Sequence, residues 1–101
     1  MNRYDALDLI SDYLENISSF FPVDDIVVED YVDLGDGEEI PCCKIIFGNM
    51  NPGLIRELEQ SLEHIISRKD GNVAWELIKG SAGDFYSRDL CIFNASDYYL
   101  D

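Results

Sequence analysis

The chain has 101 residues, with 21 Asp and Glu against 7 Lys and Arg, for a formal net charge of −14 at pH 7. That length suits one domain around one modest core, expected to span residues 1–101 with a C-terminal tail over 94–101. At 47% hydrophobic and 12% aromatic the chain is too apolar for a disordered acidic tail, and its charge excludes direct binding to nucleic acid or to anionic membrane surfaces.

Leu7, Ile10, Leu14, Ile17 and Phe21 recur at helical spacing, and Asp5, Asp8, Asp12 and Glu15 recur on the opposite side of the same wheel. Residues 3–19 therefore read as an amphipathic helix with a core face and an acidic face. Asn2 is its expected N-cap, and Pro22 follows its end. Ile26 to Leu34 is rich in β-branched residues and Gly35-Asp36-Gly37 is a turn signal. Ile40 to Phe47 reads as the return strand of a hairpin over 25–48. Pro41 lacks an N–H, so this strand is expected to begin there or to lie at an edge.

Asn51-Pro52 opens a second helix, whose apolar stripe is Leu54, Ile55, Leu58, Leu62, Ile65 and Ile66. Arg68 and Lys69 are expected in its last turn, with Gly71 as its C-terminal cap. Val73 to Lys79 alternates as a strand, with Val73, Trp75 and Leu77 on one face, so Trp75 is expected in the core. Gly80-Ser81-Ala82-Gly83 is a turn, and Phe85 to Phe93 reads as a last strand. The order α-β-β-α-β-β predicts an α+β two-layer sandwich: a four-stranded antiparallel sheet with both helices on one face.

The chemistry-bearing residues are few. The one histidine, His64, lies inside the second helix and reads as a surface or boundary residue. Cys42, Cys43 and Cys91 sit among apolar strand residues and read as small hydrophobes. An odd count of three, with no secretion signal over Met1 to Ile10, fits a reducing cytoplasm. No C-x-x-C pair offers zinc ligand spacing, and the acidic run from Asp30 to Glu39 does not match a calcium-binding loop. Gly35-Asp36-Gly37 is followed by two glutamates, which would repel a phosphate. No metal, no cofactor and no enzymatic activity are expected.

The charge is uneven. Residues 1–39 hold twelve carboxylates and one cation, Arg3, for a net −11; residues 40–101 hold nine and six, for −3. Self-repulsion of such a cluster opposes folding, and a surface for a basic partner accounts for its presence. The expected partner-binding residues are Asp5, Asp8, Asp12 and Glu15 on the helix, continued by Asp24, Asp25, Glu29, Asp30, Asp33, Asp36, Glu38 and Glu39. Carboxylates at this helical spacing stand about 5–6 Å apart, comparable with phosphates along a nucleic-acid strand. Aromatic anchors are expected at Tyr31, which shares a parity with Glu29 and Asp33, and at Tyr98 and Tyr99 in the tail.

These features predict a small cytoplasmic protein that binds and neutralises a basic protein, such as a toxin or nuclease. In size, acidity and mixed αβ composition the chain resembles the immunity proteins of bacterial toxin systems. Two other classes share part of this pattern. One is a phage nucleic-acid mimic acting as an anti-restriction or anti-CRISPR protein, which would show a long double row of carboxylates. The other is an acidic secretion chaperone, which would show an exposed apolar groove and a stable dimer.

Overall fold

The computed structural model describes residues 1–16, 21–80 and 85–98. Helix α1 runs Arg3–Asn16 and buries Ala6, Leu7, Ile10 and Leu14. Asn2 caps it as expected: its Oδ1 accepts the N–H groups of Tyr4 (2.9 Å) and Asp5 (3.0 Å). Asp5 returns the bond through Oδ2 to the Asn2 N–H at 3.2 Å, so two orphan ends of the helix are closed reciprocally. The expected extension of α1 to residue 19 falls outside the described residues.

Strands β1 (Val23–Asp33) and β2 (Glu39–Phe47) form the expected hairpin. At its tip Gly35 and Gly37 take positive φ of 107° and 84°. Asp33 Oδ1 accepts the N–H groups of both, at 2.8 and 3.2 Å, and Asp36 Oδ1 accepts that of Glu38 at 3.1 Å. Pro41 lies inside β2, opposite Tyr31. It is nonetheless tolerated, because pairing of β2 with its other neighbour starts only at Cys42. Over 39–41 β2 has a strand on one side only, and no ladder bond is lost to the ring nitrogen.

Helix α2 (Pro52–Ile65) starts as expected, with Asn51 Oδ1 accepting the Leu54 N–H at 2.8 Å. It ends earlier than the sequence suggests. Ile66 is already extended (φ −150°, ψ 131°), and its buried side chain and carbonyl face the core. Arg68 and Lys69 are thus not in the helix, and Gly71 is not its cap. Lys69–Asp70 is a two-residue strand, β3, paired with β4 (Val73–Lys79), and Gly71-Asn72 is the loop between them. Gly71 takes φ +62° at the first loop position, which is where a tight hairpin of the type II′ pattern requires glycine.

The last strand, β5, is Arg88–Asn94 rather than 85–93. Phe85 and Tyr86 precede it, exposed and packed edge to face on each other at 4.9 Å. The tail is packed as far as residue 98. Ala95 is buried in a short 3-10 turn, its N–H donating to Asn72 at 2.7 Å, and the Tyr98 ring meets Phe93 edge-on at 5.9 Å.

The architecture is α+β, with five strands among the described residues in place of the expected four, in the antiparallel order β1-β2-β5-β4-β3. The fifth is β3, too short to leave a periodic signal in the sequence. The main core joins the buried residues of both helices to one sheet face: Cys43, Ile45 and Phe47 of β2, Val73 and Trp75 of β4, Leu90 and Ile92 of β5. The opposite face is closed by a smaller cluster that includes Val32, Cys42, Cys91 and Phe93, with Leu34, Ala95 and Tyr98 over it. Trp75 is fully buried, as expected, and its indole N–H donates to the Ile66 carbonyl at 3.1 Å.

Candidate functional site: an acidic groove beside the open sheet edge

Among the described residues β1 is the outermost strand, hydrogen-bonded on one side only, and it is nearly all exposed. Two register shifts, between Val23 and Asp25 and between Val27 and Asp30, break its alternation. The bulges decide which side chains face the helices. Val23 and Ile26 pair with Phe47 and Ile45 and so share the helix side; Val27, Asp30 and Val32 pair with Lys44, Cys42 and Ile40 on the other. β1 keeps four large apolar groups in water: Val23 at 37% exposure, Ile26 at 44%, Val28 at 51% and Tyr31 at 60%. Scattered single exposures are ordinary; four on one strand are a patch.

Between this strand and α1 runs an apolar groove of about 280 Å³, lined by Ser11, Leu14 and Glu15 from the helix and by Val23 and Ile26 from β1. Further along, the Tyr4 hydroxyl donates to Glu29 Oε1 at 3.2 Å. Tyr4, Ser11 and Glu15 are spaced along one stripe of α1 that faces β1, and Asp8 lies on that stripe between them. The Arg3 guanidinium lies over the Tyr4 ring at 4.7 Å and donates to its hydroxyl at 2.9 Å. Helix carboxylates and strand carboxylates therefore border one surface with an apolar floor.

The expected binding residues divide by what they already hold. Asp8, Asp12, Glu15, Glu38 and Glu39 are exposed. Asp5 serves the helix cap and Glu29 meets Tyr4. Asp33 and Asp36 serve the hairpin turn, and Asp33 also stands opposite Glu39 in the ladder, a like-charge pair that opposes folding. Asp30 bridges to Lys44 at 3.4 Å. Its carboxyl is held below the usual range by the Tyr31 N–H and, against some burial, by Lys44. Tyr31 stands out beside Glu29 as expected.

Tyr98 is not with it. That ring lies on the opposite sheet face and borders a hollow with Asp33, Leu34 and Lys79. Tyr99 lies outside the described residues. The tip acids Asp33, Asp36, Glu38 and Glu39 are also separate from the groove, because Asp33 is seven residues along β1 from Ile26, about 23 Å at a strand rise of ~3.3 Å per residue. The single extended row read from the sequence is thus two patches: the groove rim and the hairpin tip.

Sequence reasoning missed the groove floor. Ile26 was visible only as a strand former, and Val23 lay outside the expected hairpin over 25–48. The one available signal was the unbroken run Ile26-Val27-Val28, which no alternating half-buried strand accommodates without a bulge.

The remaining chemistry-bearing residues are structural in their contacts. Cys42, Cys43 and Cys91 are buried free thiols. The hydrogen bond to Cys42 together with burial pushes the Cys91 thiol up, and burial pushes Cys43 up. His64 is exposed on α2. Among the described residues no three His, Cys, Asp or Glu side chains are grouped to hold a metal ion, and no helix is long and apolar enough to cross a membrane.

Compared with protein-family models, with curated proteins and with solved structures, the chain matches none of them. The functional reading rests on the site itself.

Proposed function

We propose that the chain is a small, non-catalytic inhibitor that binds a basic protein through the α1–β1 surface and covers its working face, in the manner of a toxin immunity protein acting on a nuclease. The observation that carries this reading is the union of open carboxylates with an open apolar floor. Glu15 lines a groove floored by Leu14, Val23 and Ile26, Asp8 is exposed on the same helix stripe, and Glu29 borders that surface further along β1. Charge speeds encounter with a basic partner and apolar anchors hold it. Tyr4 and Tyr31, at the far end of the surface, are the aromatic groups placed to act as anchors.

The floor also weighs against a phosphate-backbone mimic, which has no use for exposed valine and isoleucine between its acids. An acidic secretion chaperone shares the groove and would add a stable dimer, so light scattering on the purified chain separates it from an inhibitor.

The test is affinity capture at low salt from the organism that encodes the chain, eluted on a salt gradient, followed by titration of the captured protein's activity. One basic nuclease-like protein that survives moderate salt and loses its activity at a 1:1 ratio is the expected result. Elution of only miscellaneous basic proteins at low salt would overturn the reading.

A further inference from the structure

Among the described residues β1 offers an unpaired backbone edge eleven residues long. Two amides mark that edge. The Ile26 N–H donates to Asp25 Oδ1 at 2.8 Å, and the Tyr31 N–H donates to Asp30 Oδ1 at 2.7 Å. An N–H given to the preceding side chain is not part of the ladder with β2. In the free chain two outward donors are therefore covered by carboxylates that can swing away. Beside them lies the α1–β1 groove. Its volume is just under the roughly 300–1,000 Å³ of pockets that engulf a small molecule, and its open, apolar walls suit side chains projecting from a bound segment.

We propose that an extended segment of the partner, alternating basic and apolar residues, adds to β1 as a sixth strand. Its apolar side chains enter the groove over Val23 and Ile26, and its Lys or Arg side chains, on the opposite face of the strand, meet Asp25 and Asp30. This deepens the inhibitor reading and rests on it. Main-chain bonds supply affinity in such strand addition, and alternate side chains supply specificity.

Charge selects the occupant. A second copy of this chain would set Asp24, Asp25, Glu29, Asp30 and Asp33 against the same five carboxylates, and like charges across a strand pair are destabilising. A basic strand reverses that sign. Its cations draw Asp25 and Asp30 off the two amides, whose N–H groups then donate to the incoming carbonyls.

The experiment uses the full chain and a ten-residue peptide of alternating Lys and Val. The control is the same peptide N-methylated at two adjacent central residues, which removes a donor from each edge of the peptide strand without changing its charge. Binding is titrated at low salt, and amide hydrogen exchange is followed by NMR. The parent peptide is expected to slow exchange at Ile26 and Tyr31, and the methylated peptide to bind at least tenfold more weakly. Ile26→Lys should weaken the parent peptide similarly while leaving the melting temperature unchanged, since Ile26 is already half in water.

Equal binding of both peptides, with exchange at Ile26 and Tyr31 unaltered, would overturn strand addition and leave the acidic surface standing. Failure of both peptides to bind at low salt would remove the charge argument and the inhibitor reading with it. A dimer in solution with the same two amides protected in the absence of peptide would assign the edge to a second copy and overturn the proposal.

Discussion

The two edges of the sheet are built in opposite ways. At the β3 edge the strand is two residues long and carries Lys69, two devices that blunt an edge. Beside it Arg68 gathers three carboxylates, Glu59 at 3.0 Å, Glu63 at 3.1 Å and Glu76 at 3.1 Å, and lies over the Trp75 ring at 4.6 Å. At the β1 edge the strand is eleven residues long, and of its carboxylates only Asp30 has an ion pair among the described residues. Apolar side chains stand in water between them. The same residue types thus do different work: glutamates around Arg68 close one end of the sheet, while aspartates and glutamates along β1 and α1 leave the other end charged. Acid on an edge keeps identical copies apart and admits a partner of opposite sign.

The largest effect that sharpens this contrast is at the closed edge. Trp75→Ala removes a fully buried indole and orphans the Ile66 carbonyl, and is expected to cost about 3–5 kcal/mol in urea unfolding. A loss below about 1 kcal/mol would mean the closed edge does not depend on that ring. The next effect lies at the open edge and is kinetic. The triple reversal Asp8→Lys, Asp12→Lys, Glu15→Lys should slow association with the true partner about 10- to 100-fold at low salt. Its melting temperature should be unchanged or higher, because self-repulsion falls. An unchanged on-rate in stopped-flow mixing would break the comparison, since the charge would then serve solubility alone.

Third in size is the Arg68 cluster itself. Exposed ion pairs contribute about 0–1 kcal/mol each, and a cation–π contact of this exposure about 0.5–1. With the guanidinium 39% exposed, Arg68→Ala should cost about 1–2 kcal/mol in all. Arg68→Lys should recover only part of it, because an ammonium cannot fork between carboxylates or stack on the indole. Full recovery by lysine, measured by thermal unfolding, would show that charge alone closes this edge.

Much of the scaffold was legible in the sequence because its signals are local. Asn2 and Asn51 cap helices through their own side chains, and the Leu7–Ile10–Leu14 stripe buries at helical spacing. Trp75 alternates into the core with Val73. The parts that were not legible depend on pairing between distant segments. Gly71 looks like a helix cap until Lys69 and Asp70 find Ala74 and Val73 across a two-residue loop. Arg68 looks like a last-turn cation until Ile66 leaves the helix and delivers it to Trp75. The acidic set was legible as a charge excess, but not its division between groove and hairpin tip. The fold alone sets that geometry, through the bulges in β1 and the approach of α1 to that strand. The face that Tyr98 covers was not legible for a related reason: its position follows from the 3-10 turn that sends it over Phe93, not from its neighbours in the chain.

The smallest effect separates the one ion-paired carboxylate of β1 from the rest. The Tyr31 N–H, with help from Lys44, holds Asp30 below its ordinary value of 3.8. A depressed folded-state pKa means that the ionised form is favoured by folding. The contribution is therefore complete above the unfolded value and disappears as pH falls through the lower folded one. Asp30→Asn should melt slightly below the parent at pH 7, with the gap closing as the pH is taken down past 3.8. Asp12→Asn, on the open helix face, should instead melt at or above the parent at pH 7, because it removes repulsion without removing a partner. If both variants shift melting alike across the titration, Asp30 and its Lys44 partner are no different from the open acids around them. The distinction between paired and open carboxylates on this half of the molecule would then collapse into a single diffuse field.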